Sequence, residues 1–144
     1  MLRNILGVIG GYAVMALSIM VVFTAAYLVL GADGSFRSES WQVSTIWLIL
    51  SIVVGLGAAW VGGNVCQRIA RSMRGPVYLI AVVVILGVVT IVTTGDPTMT
   101  DPRLVDPGWL EAMNNAQQPM WIMYLNPLLG ALGVAWGGGL LSKK

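Results

Sequence analysis

The sequence predicts an all-α integral membrane protein with four transmembrane helices. Both termini are expected on one cytoplasmic side (N-in/C-in), with a short interfacial helix in the outer loop between helices 3 and 4. Three observations carry this. Apolar residues make up 57% of the 144 positions and charged residues 10%, where an ordinary soluble domain carries about 25% charged. The apolar residues fall in four blocks, each near the ~20 residues that cross a hydrocarbon core of ~30 Å. The charged residues lie between the blocks and are segregated by sign.

The first span, about 5–30, is 26 residues long and exceeds the roughly 7–15 apolar residues of a signal peptide. A cleavage before Asp33 would place the bulky Leu30 three residues upstream, so an uncleaved span is expected. The second covers about 43–65. The polar turn before it, 31–40, contains Asp33-Gly34, expected as its tight point. The third, about 77–93, is dense in β-branched residues. In lipid its backbone must satisfy its own hydrogen bonds, which favours a helix. Pro76 suits the first turn of that helix.

The outer loop, 95–118, begins with Pro97 and Pro102, which keep it extended. Its second half has helix-start signals: Asp106 as N-cap, Pro107 in the first helical position, and a Val105–Leu110 staple. Trp109, Leu110 and Met113 then share a face. The fourth span, about 120–141, carries Asn126-Pro127. The proline is expected to kink it, and Asn126 to bond across helices.

Six of the eight basic residues, Arg3, Arg68, Arg71, Arg74, Lys143 and Lys144, flank one set of span ends. All six acids, Asp33, Glu39, Asp96, Asp101, Asp106 and Glu111, lie on the other. The positive-inside rule then makes the basic side cytoplasmic. Trp41, Trp47, Trp109 and Trp121 fall near the outer interface and read as anchors at headgroup depth. Trp60 and Trp136 stand at the other interface, as anchors or as the walls of an aromatic cage.

Small residues recur at helix-contact spacing: Gly7 and Gly11, then Gly55, Ala59 and Gly63, then Gly133 and Gly137. Helices associate in lipid by close backbone approach across such positions. The first, second and fourth spans are therefore expected to form the tight core. The eight residues 56–63 and 132–139 match at six positions, Trp60 aligning with Trp136 at an offset of 76. Two origins stay open: a parallel repeat of two hairpins, 1–75 and 76–144, or two helices meeting one packing demand. Neither run is a nucleotide loop, since Trp60 stands where a dinucleotide fingerprint needs its third glycine and no Gly-Lys-Ser/Thr occurs.

The chain has no histidine and one cysteine, Cys66, which leaves neither a Cys-x-x-Cys metal site nor an imidazole base or ligand. All four spans lack Asp, Glu, Lys, Arg and His, the residues that usually mark ion coupling or intramembrane catalysis. The acids on the outer loops follow from charge segregation and have no calcium-loop spacing. No enzyme, cofactor, metal or nucleic-acid partner is expected. Four short spans with Asn-Pro and Gly-Gly near the end look similar to many small bacterial inner-membrane proteins, so the expected location is a bacterial-type inner (plasma) membrane. The expected role is a structural or accessory subunit, partnered by the bilayer and by a homo-oligomer or larger membrane complex. The alternative is a small oligomeric transporter or permeation unit for an uncharged or lipid-like solute.

Overall fold

The computed structural model describes residues 1–94 and 107–141. Its five helices are α1 (Leu2–Ser35), α2 (Thr45–Ala70), α3 (Arg74–Thr94), α4 (Trp109–Asn115) and α5 (Met120–Gly137). There is no strand among the described residues, only two isolated bridges. Four of the helices, all but α4, are long and apolar enough to cross a membrane. The chain has the architecture of a multi-pass helical membrane protein.

The helix ends follow local chemistry. The apolar run of α1 stops at Gly31, whose φ of 66° and ψ of −176° break the helix; that region of the map is open to glycine almost alone. A last turn then follows, in which the Ser35 hydroxyl donates to Gly31 O at 2.7 Å. The chain reverses beyond it, at 37–40, not at Asp33-Gly34. Arg37 N–H donates to Gln42 O, Ser40 N–H to Arg37 O, and Glu39 takes the left-handed conformation. Asp33 and Gly34 are held in the final turn of α1, which overrides their turn preference.

Ser44 caps α2, its hydroxyl accepting from Trp47 N–H at 3.2 Å and satisfying one of the free first-turn donors. At the other end Arg71 is left-handed, with φ 51° and ψ 33°, and donates its N–H to Gln67 O. This is the αL cap that glycine normally supplies. Pro76 stands in the first turn of α3, where its missing N–H leaves no bond unmade. The helix of α5 runs unbroken through Pro127. It ends in a Schellman cap: Leu140 N–H reaches Ala135 O, Gly139 N–H reaches Trp136 O, and Gly139 has φ 74°. The fourth helix therefore stops at 137 rather than 141.

Around the bundle the neighbours run α1, α2, α5, α3 and back to α1, with α2 and α3 touching across the middle. Among the described residues α1 and α5 make no contact. The two most extensive interfaces, α1 with α2 and α2 with α5, are those of the expected first, second and fourth spans, with α2 standing between the other two, and α3 packs less extensively than they do. Leu79 of α3 is fully buried, and Pro127 of α5 seats against Gly87.

The buried residues form two clusters. Met15, Ala59, Cys66, Leu79 and Val134 fill the middle and basic half of the bundle. Phe36, Trp41, Val43, Leu48, Ala112 and Ile122 fill a cap at the acidic end. The cap is knitted by backbone bonds, Val43 N–H to Gln117 O and Gln117 N–H to Trp41 O. Side chains on α1 hold the second loop: Tyr27 OH donates to Pro107 O at 2.7 Å, and Trp109 Nε1 donates to Thr24 Oγ1 at 3.1 Å.

The start of α4 differs from expectation. Gly108 is its N-cap, so Pro107 precedes the helix; Pro97, Pro102, Val105 and Asp106 lie outside the described residues. The inward face is Trp109 and Ala112, while Leu110 and Met113 are exposed. Tethering by Thr24 and Tyr27 sets this rotation, which hydrophobicity alone did not reveal.

Candidate functional site

The two glycine-rich segments meet each other along the middle and basic half of α2 and α5. A methyl placed on Gly133 would stand 2.8 Å from Leu56 O and 3.2 Å from Trp60 N. One on Gly63 would stand 2.6 Å from Val134 O and 2.9 Å from Gly138 N. One on Gly137 would run into the carbonyl of Trp60. Backbone therefore lies on backbone, a distance that only glycine at each position permits. Ala59, which is fully buried, completes the contact with Gly133.

The opposite face of α2 does the same with α1. A methyl on Gly11 would stand 2.7 Å from Gly62 O, 2.8 Å from Cys66 Cβ and 2.9 Å from Leu79 Cδ2. One on Gly7 would stand 2.8 Å from Cys66 O. Adjacent residues thus divide the work, Gly62 turned to α1 and Gly63 to α5. Gly62 carried no weight in the spacing argument; its signal was the pair Gly62-Gly63, since neighbours in a helix point about 100° apart.

Gly55 departs from expectation. Nothing lies within 4 Å of a methyl built there, or on Gly57. Gly57 is exposed and faces away from α1 and α5, whereas Gly55 shares the inward face of α2 with Ser51, Ala59 and Gly62, at a level where no described residue comes close enough to meet it. The matched positions of the two near-copies are accordingly used differently: Gly133 is enclosed, whereas its counterpart Gly57 faces outward.

Asn126 and Pro127 separate. Pro127 is buried with its ring against Gly87, while Asn126 is exposed and donates Nδ2–H to Gln118 Oε1 at 3.5 Å. The bond across helices expected of Asn126 is replaced by this one within its own segment, because the helix turns the side chain outward. Ser51 is buried, but its hydroxyl donates to Trp47 O at 2.8 Å in its own helix. Asn126 and Ser51 thus stand in different surroundings, one exposed and one buried.

The tryptophans also divide. Trp121 is exposed, Trp109 is half-buried, and Trp47 is half-buried with its ring 5.2 Å from Phe23. Trp41 is no exposed anchor: it is buried, edge-on to Phe36 at 5.8 Å, as part of the cap's core. The hairpin at 37–40 folds it inward. Trp60 and Trp136 are 44% and 62% exposed and form the walls of a cleft of about 420 Å³ with Gly139 and Leu141. Among the described residues no group of three or more His, Cys, Asp or Glu side chains is placed to hold a metal ion.

No family model, curated protein or solved structure matches the chain.

Proposed function

We propose that the chain is a non-catalytic structural or accessory subunit of a membrane assembly, built as a small rigid bundle. One observation carries the reading. Gly7, Gly10 and Gly11 of α1, Gly62 and Gly63 of α2, and Gly130, Gly133 and Gly137 of α5 are taken up in packing within the chain, while the exposed Gly57 leaves open space on the outward side of α2. Val53 and Val61, both exposed, flank Gly57 one turn away on either side. A valine-edged notch of this kind admits the backbone of another helix in lipid, where association depends on such close approach. Spans without Asp, Glu, Lys or Arg, in a chain without histidine, support a role other than catalysis.

In this reading the basic end, with Arg3, Arg68, Arg71 and Arg74, faces the cytoplasm of a bacterial-type inner membrane, and both termini lie there. The short helix α4 lies at the opposite interface, with Leu110 and Met113 directed to the headgroup region.

Purification in a mild detergent, followed by native mass spectrometry, tests the reading. The chain is expected to emerge with a stable membrane companion or with further copies of itself. Gly57→Leu is expected to release it while leaving the fold intact. A lone chain, or an assembly indifferent to Gly57→Leu, contradicts the reading. The alternative, a permeation unit for an uncharged or lipid-like solute, requires copies arranged around the exposed Asn126; a symmetric homo-oligomer with solute flux in liposomes, lost in Asn126→Leu, would favour it.

A further inference from the structure

The basic end of α2 adjoins two hollows. The first is the cleft walled by Trp60 and Trp136, with Gly139 and Leu141 and no charged side chain in its lining. The second, of about 250 Å³, is lined by Arg68 and Arg71 together with Gln67, Ser72 and Met73. Gln67 connects them, because a methyl on Gly139 in the first would stand 3.2 Å from Gln67 Nε2 in the second. Trp60, Asn64, Arg68 and Arg71 follow helical spacing along one side of α2. Asn64 Oδ1 accepts from Arg68 Nε at 3.2 Å and orients the guanidinium.

Among the described residues no acidic side chain lies near the basic hollow. Asp33, Glu39 and Glu111 belong to the far end of the bundle. Eight residues separate Trp60 from Arg68, about 12 Å along a helix axis. That is the offset between a phosphate in the headgroup layer and the upper part of an acyl chain.

We propose that this surface binds one anionic glycerophospholipid of the leaflet at the basic end. The phosphate is taken by Arg68 and Arg71, and an acyl chain lies in the cleft between Trp60 and Trp136. Charge complementarity selects the occupant: a zwitterionic lipid gains the apolar contact but brings a cationic group to two arginines that have no acidic partner among the described residues. Arginine suits the role, since its planar fork pairs with phosphate oxygens.

The test uses the full chain in detergent, titrated with phosphatidylglycerol or phosphatidylcholine carrying brominated acyl chains, with tryptophan fluorescence as the readout. Basic residues near a membrane surface attract anionic lipid severalfold each, so phosphatidylglycerol is expected to quench at about tenfold lower concentration. Arg68→Gln/Arg71→Gln is expected to abolish that preference, and Arg3→Gln/Arg74→Gln, which removes equal charge at the same end, to retain it. Trp60→Phe/Trp136→Phe is expected to remove most of the high-affinity quenching. Equal quenching by the two lipids overturns the proposal without recourse to any variant. Equal loss in the two arginine pairs overturns it as well, as does displacement of the lipid by millimolar inorganic phosphate.

Discussion

At the residue scale, the same amino acid does opposite things according to what faces it. Glycine at 7, 11, 63, 133 and 137 is required by an opposing backbone, whereas glycine at 31 and 139 is required by its own positive φ. Arg71 is the converse case, a side chain in a conformation that glycine favours. The left-handed region costs a non-glycine residue about 1–2 kcal/mol. Arg71→Gly is therefore expected to raise stability in detergent by about 1 kcal/mol, some of the gain being offset by the looser unfolded chain. A thermal melt that falls would show that the Arg71 side chain contributes more than its backbone costs. The packing glycines were legible from their spacing. The inward turn of Trp41 was not, because it depends on a hairpin whose left-handed residue is Glu39, a type that gives no turn signal.

At the scale of elements, span positions could be read closely because membrane thickness limits them, and the ends shifted where caps intervene. Helix α2 gains its last five residues beyond 65 by continuing to the Arg71 cap. Helix α5 loses its last four because consecutive glycines unwind it after 137. The position of α4 was only partly legible, since two bonds from distant α1 residues fix it. Tyr27→Phe removes the bond to Pro107 O, and Trp109→Phe the bond to Thr24. Each is expected to cost about 1 kcal/mol and to speed amide exchange over 107–118 while leaving exchange in α2 unchanged. Uniform acceleration throughout the chain would mean that α4 and the bundle open as one unit.

At the scale of the whole molecule, α2 is the shared wall, with α1 on one glycine face and α5 on the other. The composition announced a membrane bundle, yet the order of neighbours could not be read, because in lipid no apolar face is privileged by hydrophobicity alone. The charge segregation predicts sidedness. With Cys66→Ala as background, a cysteine at Ser38 is expected to react with an impermeant maleimide on intact cells and one at Met73 only after lysis; the reverse pattern would invert the topology. The seam itself is the central claim, and the two near-copies supply its internal control. Gly57 and Gly133 are equivalent in sequence, but only Gly133 is enclosed. The direct measurement is the stability of Gly57→Ala beside that of Gly133→Ala in the same detergent. Gly57→Ala is expected to hold or raise stability, by up to about 1 kcal/mol of helix propensity. Gly133→Ala is expected to lower it by about 1–3 kcal/mol of overpacking. Equal effects at the two positions would contradict the seam.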